Sequence, residues 1–183
     1  FEQRGDMEWN GMEWRTSLRP VRRDDKDALY RWITNRELLL LNAPYLPVGE
    51  GAHEKWFESV LSGRNDAFFF MIEESETHKT IGSCQLFNIN WIHRNAELQI
   101  RIGESAFHGK GYGSEAVRLL VDFGFKDLHL HRIYLHVFSS NTRAIKAYEK
   151  CGFTREGVLK EAAYIDGEYV DVEIMSNVES ANA

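Results

Sequence analysis

Three glycines at alternate positions, Gly109, Gly111 and Gly113, sit where a strand pattern gives way to a helix pattern. Before them, Ala96, Leu98, Ile100 and Ile102 alternate with Glu97, Gln99 and Arg101, a period of two that predicts a strand with one buried face. After them, Ala116, Leu119, Leu120 and Phe123 fall on one side of a predicted helix, with Glu115, Arg118 and Asp122 on the other. A strand, a glycine loop and a helix start together form an anion site. The first helical amides lack internal partners, the dipole is positive there, and missing Cβ atoms let a phosphate approach the main chain. Two familiar phosphate loops are excluded. Ser114 stands where Gly-x-Gly-x-x-Gly needs its last glycine, and the spacing of the nucleoside-triphosphate loop is absent. The loop binds another phosphate, or it is only a turn.

A second constellation follows. In Arg132–Phe138, Ile133, Leu135 and Val137 alternate with Tyr134, His136 and Phe138, again a strand pattern. Asn141 then caps a predicted helix from Thr142 to Cys151, with Gly152 just past its end. Asn141 and Tyr148 lie seven residues apart, two turns, and so share a helix face.

His108-Gly-Lys-Gly-Tyr-Gly113, the strand, and Asn141…Ala144…Tyr148-Glu-Lys-Cys-Gly-Phe153 together resemble the GCN5-related N-acetyltransferases. The match is nearer to the branch acting on ribosomal-protein alanine termini and spermidine. It runs from about Thr16 to Met175 and is strongest between His93 and Tyr169. His108 departs from the pattern, which usually carries Gln or Arg there; its charge contribution is pH-dependent or lost.

The remaining chain suits this reading. Its 183 residues are expected to form one domain over 15–178, preceded by an extension over 1–14 and ending in a frayed stretch at 179–183. The extension carries Trp9, Met12 and Trp14; it is either flexible and vector-derived or packed on the domain or a partner. Ser17–Val21 reads as an edge strand, because Pro20 cannot donate to a central ladder. Asp24 is the expected cap of a helix carrying Leu29 and Trp32, and a second helix covers about Ala52–Leu61. Ala67–Ile72 and Thr80–Asn88 read as a hairpin, and Asn88–Asn95 as a longer loop. Phe153–Glu156, Leu159–Ile165 and Tyr169–Met175 read as strands, with Asp166-Gly167 a hairpin turn. The expected order is β-α-α-β-β-β-α-β-α-β-β. The fold class is α/β (α+β), a mixed, mostly antiparallel central sheet flanked by helices. A net charge of −6 disfavours nucleic acid, and no apolar run approaches a membrane span. Cys84 and Cys151 show no metal or disulfide spacing and read as core thiols in a cytoplasmic protein.

The resemblance implies acetyl-CoA as cosubstrate, no metal, and a primary amine as acceptor: a protein N-terminus, a polyamine or an amino-sugar. It implies a monomer or homodimer. By that resemblance the loop His108, Gly109, Lys110, Gly111, Tyr112, Gly113 and Ser114 holds the pyrophosphate. The main chain of Ile100, Arg101 and Ile102 pairs with the pantetheine arm, which needs a strand whose neighbour has splayed away. Asn141 offers its amide to the same arm, and Arg143 and Lys146 add charge at the phosphates. Trp32, Tyr45 and Trp56 line the acceptor pocket. Tyr148 is the candidate acid for the leaving thiolate and a main-chain N–H near Ile100 the oxyanion donor. Glu97 is the candidate base, with His136 as its rival. The clustered Glu73, Glu74 and Glu76 suit a cationic acceptor weakly. A non-catalytic coenzyme-A-binding module on the same fold is the competing reading.

Overall fold

A computed structural model describes residues 8–9 and 12–180. Seven strands form one sheet: β3 (Thr16–Pro20), β4 (Phe68–Glu74), β5 (Thr80–Asn90), β6 (Asn95–Ile102), β7 (Arg132–Phe138), β9 (Glu168–Val178) and β8 (Thr154–Ile165), in that spatial order. Every neighbouring pair is antiparallel except β6–β7. A separate two-residue pair, β1 (Glu8–Trp9) with β2 (Met12–Glu13), precedes the sheet. Residues 1–7, 10–11 and 181–183 lie outside the described residues, so the expectations for the two ends rest partly there. Trp14 packs against the main core, and the Glu179 amide donates to the His131 carbonyl, so the last strand is held to its end.

β3 is an edge strand and Pro20 closes it, as the missing N–H requires. One face of the sheet carries α4 (Tyr112–Asp122) and α5 (Thr142–Lys150). Leu86, Leu98, Leu119, Leu120, Ile133 and Met175 are buried between these layers. The other face carries α1 (Lys26–Ile33) and α3 (Glu50–Ser62), with Leu29, Trp32, Phe57 and Met71 as a second cluster. No helix among the described residues is long and apolar enough to cross a membrane. Both cysteines are free and buried.

Several expectations change in detail. Arg36–Leu39 forms a short helix, α2, capped by the Asn35 side chain. The first strands expected after Phe153 are one strand, β8, interrupted by register shifts near Gly157 and beyond Leu159. The expected loop over Asn88–Asn95 is shorter, since β5 runs to Asn90. Asp25, not Asp24, stands at the N-cap position of α1, and its side chain makes no capping bond to that helix but holds the turn before it. Its carboxylate accepts from the Arg22 amide at 2.6 Å and from both terminal nitrogens of buried Arg19 at 2.8 Å. Glu115 is not on a solvated helix face: it is 1% exposed and accepts from the Arg15 main chain and Nε at 2.8 Å each. A buried carboxylate is tolerable when charge-assisted bonds replace its water. Glu73 pairs with Arg19, and Glu74 accepts from Thr77 and Glu76. Two members of that acidic cluster therefore hold the fold, which leaves little of the cluster to attract a cation.

Candidate active site

β6 and β7 pair only at Asn95–Arg132, Ala96–Ile133 and Glu97–Tyr134. Beyond these the two parallel strands carry no further paired positions, although α4 connects one to the other. The break explains a burial pattern that the alternation did not predict. Ala96 and Leu98 are buried, but Ile100 and Ile102 on the same face are only half-buried. They face a cleft of about 460 Å³.

That cleft gathers most of the residues singled out in the sequence. Ile100, Arg101, Ile102, His108, Gly109, Gly111, Gly113, Ser114, Asn141, Arg143, Lys146 and Tyr148 all line it. Gly111 is the residue before α4 and sits at φ +88°; Gly109 is at +69°. These are left-handed conformations that other residues adopt only with strain, so the glycines open the helix start to an anion. Arg143, Lys146 and Lys150 add cationic side chains to the wall in a chain of net charge −6. Lys110 and Tyr112 lie outside the lining. The Lys110 carbonyl accepts from Arg15 Nη2 at 2.9 Å, and the Arg15 guanidinium stacks 4.3 Å over the Tyr112 ring. Arg15 therefore ties the loop, the buried Glu115 and the first turn of α4 together. Sequence reasoning missed it, since an arginine ahead of a strand has no motif. His108 is spent locally: its Nε2 donates to the Ile102 carbonyl at 2.6 Å and pins the loop to the strand.

Asn141 caps α5, its Oδ1 accepting from the Ala144 amide at 3.2 Å, while Nδ2 donates to the Leu41 carbonyl at 3.4 Å. That long bond uses one of the two Nδ2 hydrogens and leaves the other for a ligand. Tyr148 lies two turns further along the same face, as the spacing predicted. Burial, with Cys151 beside it, pushes the Tyr148 phenol up to about 12, so it stays protonated through the neutral range.

Glu97, the candidate base, stands on the polar face of β6. Glu97 lines neither large cavity. One of its oxygens accepts from His136 Nδ1 at 2.6 Å, and the other accepts from Asn88 Nδ2 at 3.3 Å. His136, 40% exposed against 16% for Glu97, lines the cleft. A carboxylate on Nδ1 sets the tautomer and leaves Nε2 as the basic atom.

On the opposite face, a cavity of about 420 Å³ lies under α1 and α3 and shares Ile100 and Arg101 with the cleft. Of the three aromatics expected there, Trp56 lines it and is 39% exposed. Tyr45 is outside the lining and packs beside the Arg36 guanidinium, while neighbouring Pro44 and Leu46 line the cavity. Trp32 is core: it is 2% exposed, and a Cβ added at Gly103 would fall 2.1 Å from its ring. The close glycine lets the indole fill the space beneath the strand end.

A family model described as an acetyltransferase (GNAT) domain matches residues 15–154. A spermidine N(1)-acetyltransferase from Vibrio cholerae is 41% identical over 111 residues, covering 61% of this chain and 63% of that protein. The chain thus spans under two thirds of that relative. An uncharacterized N-acetyltransferase, p20, from Bacillus licheniformis is 32% identical over 88% of this chain and 92% of its own. Among solved structures, spermidine N-acetyltransferase from Vibrio cholerae in complex with CoA and spermine superposes with a TM-score of 0.81. It is 32% identical and covers 90% of this chain and 95% of that one.

Proposed function

The chain is an N-acetyltransferase of the GNAT family, and on that premise we propose that it transfers the acetyl group of acetyl-CoA to the primary amine of a small acceptor, both bound at once. The carrying observation is the separation of β6 from β7 directly above the glycine cradle, with Tyr148 and His136 on the walls of the same cleft. Unpaired main chain of β6 suits an extended amide-bearing arm, and the cradle with Arg143 and Lys146 suits its phosphates. The coenzyme supplies an acetyl thioester.

The protein's part is positioning and proton management. The amine nitrogen bonds to the acetyl carbon as the carbon–sulfur bond breaks. Nε2 of His136 takes the proton the amine sheds, Glu97 stabilises the resulting imidazolium, and Tyr148 gives its proton to the departing sulfur. Exchange with solvent then restores both groups. A main-chain N–H near Ile100 donates to the carbonyl oxygen. This assigns the base to His136, the rival in the sequence reading, and makes Glu97 its positioning partner, because only His136 borders the cleft.

Titration with CoA, followed by thiol release from acetyl-CoA over a panel of peptides, polyamines, amino-sugars and α-amino acids, tests the reading. Tight coenzyme binding and turnover with an amine are expected. Absent coenzyme binding refutes it, and binding without transfer to any amine leaves the non-catalytic module.

A further inference from the structure

The cavity beneath α1 and α3 carries a charge that is out of place for a polycation site. Its floor is the face of the sheet bearing Phe69, Ser83, Gln85, Gln99 and Arg101. Ser83 pairs with Arg101 and Gln85 with Gln99 across β5–β6, so these side chains rise on the same side. Gln85 Nε2 donates to Gln99 Oε1 at 2.6 Å. The walls are Leu29, Ile33, Leu39, Pro44, Leu46, Val48 and Trp56. Among the described residues, no carboxylate lines it.

Arg101 Nε is shut off from solvent and has no hydrogen-bond partner among the described residues. The contrast with Arg19, a buried arginine, is direct. Asp25 and Glu73 hold Arg19 charged, whereas burial lowers the Arg101 pKa with no carboxylate opposing it. A guanidinium with its Nε desolvated and unpartnered, and no carboxylate in the cavity lining, favours an anionic ligand. Buried His53, 3% exposed, adds a second unsatisfied atom. Its Nε2 donates to the Lys26 carbonyl at 3.1 Å, which leaves Nδ1 as an acceptor without a partner among the described residues. Arg101 also borders the coenzyme cleft, so its charge lies where the two cavities meet.

We propose that the acceptor is an amine carrying a carboxylate and an apolar body, of the α-amino-acid kind, with Arg101 as the residue that selects the carboxylate. The proposal rests on the acetyl-transfer reading above. A carboxylate one carbon from the reacting nitrogen meets Arg101 at the junction, and an aliphatic side chain fills the space under α1 and α3. Each further ammonium of a polyamine would instead be desolvated beside a cation without a counter-charge.

The test compares leucine with 3-methylbutylamine, which differ only by the carboxylate, and with spermidine, by thiol release at saturating acetyl-CoA. Leucine is expected to exceed both in kcat/KM by at least tenfold. In Arg101→Gln the leucine-to-3-methylbutylamine ratio is expected to fall at least tenfold, while Arg101→Lys keeps part of it. Circular dichroism and CoA titration check that each variant is folded. A higher kcat/KM for spermidine, or a ratio unchanged in folded Arg101→Gln, overturns the acceptor class and leaves acetyl transfer standing. Coenzyme binding with no transfer to these amines or to any member of the wider panel overturns both.

Discussion

Replacing Glu97 by Gln separates two roles that a carboxylate beside an imidazole can have. In the structure Glu97 stands behind His136 rather than in the cleft, with Nδ1 at 2.6 Å from one oxygen and Asn88 Nδ2 at 3.3 Å from the other. Glutamine keeps one acceptor oxygen for Nδ1 and loses the charge. A hydrogen bond to an ionised group contributes about 1.5–3 kcal/mol and a neutral one about 0.5–1.5, so the loss is roughly 1–1.5 kcal/mol. At about 1.36 kcal/mol per decade this is a fall in kcat of about tenfold. Solvent at half-exposed His136 screens the pair and makes that figure an upper bound. His136→Asn removes the proton acceptor itself and is expected to cost about 10²–10⁴-fold. Raising the pH should rescue His136→Asn, because more acceptor arrives already neutral, and should change Glu97→Gln much less. Stopped-time thiol release across pH 6.5–10 with both variants measures this. A Glu97→Gln defect as deep as that of His136→Asn, with equal rescue by pH, would refute the positioning role and return the base to Glu97. Wild-type rates in both would remove the pair from the mechanism.

Gly111→Asp is expected to fold at some cost in strain, since Asp adopts a left-handed φ more readily than most residues and the atom 3.0 Å from the new Cβ is the flexible end of Arg15, which has to give way. Its carboxylate would meet the phosphates, so CoA affinity by calorimetry should fall by roughly 10²-fold or more; unchanged affinity would place the phosphate site elsewhere. Tyr148→Phe should lower kcat by about 10²-fold with CoA affinity preserved, and a kcat within about twofold of the parent protein would exclude Tyr148 as the acid. The Tyr148 phenol sits near 12, above its ordinary value of about 10, so the folded state holds that proton longer. Its contribution to stability is complete below pH 10 and is lost as the pH rises toward 12. Chemical denaturation over that range should show the loss, and Tyr148→Phe should remove it. Gly103→Ala drives a methyl into the Trp32 ring and should cost about 1–3 kcal/mol, a fall in Tm of roughly 2–12 °C by calorimetry; an unchanged Tm would mean that Trp32 moves freely.

What the sequence determined by itself was local. The glycine positions, the Asn141 cap, the two-turn spacing to Tyr148 and the Pro20 edge strand follow from rules that act within a few residues, and each stands in the fold. Backbone conformation and helix periodicity need no distant partner to be read. Charge and burial were decided by the tertiary structure. Glu115 reads as a surface helix residue until Arg15, 100 positions away in the chain, closes on it. Trp32 and Trp56 carry the same pattern of apolar spacing, yet Gly103 lets one sink into the core while the other borders a cavity. Glu97 and His136 alternate identically on their strands. Only the three-residue pairing of β6 with β7, and the separation beyond it, puts the imidazole on the cleft and the carboxylate behind it. Arg101 belongs to the same class. An arginine on a polar strand face reads as solvated, and the helices packed over that face shut its Nε off from solvent, because desolvation depends on which element covers a residue and not on its neighbours in the chain.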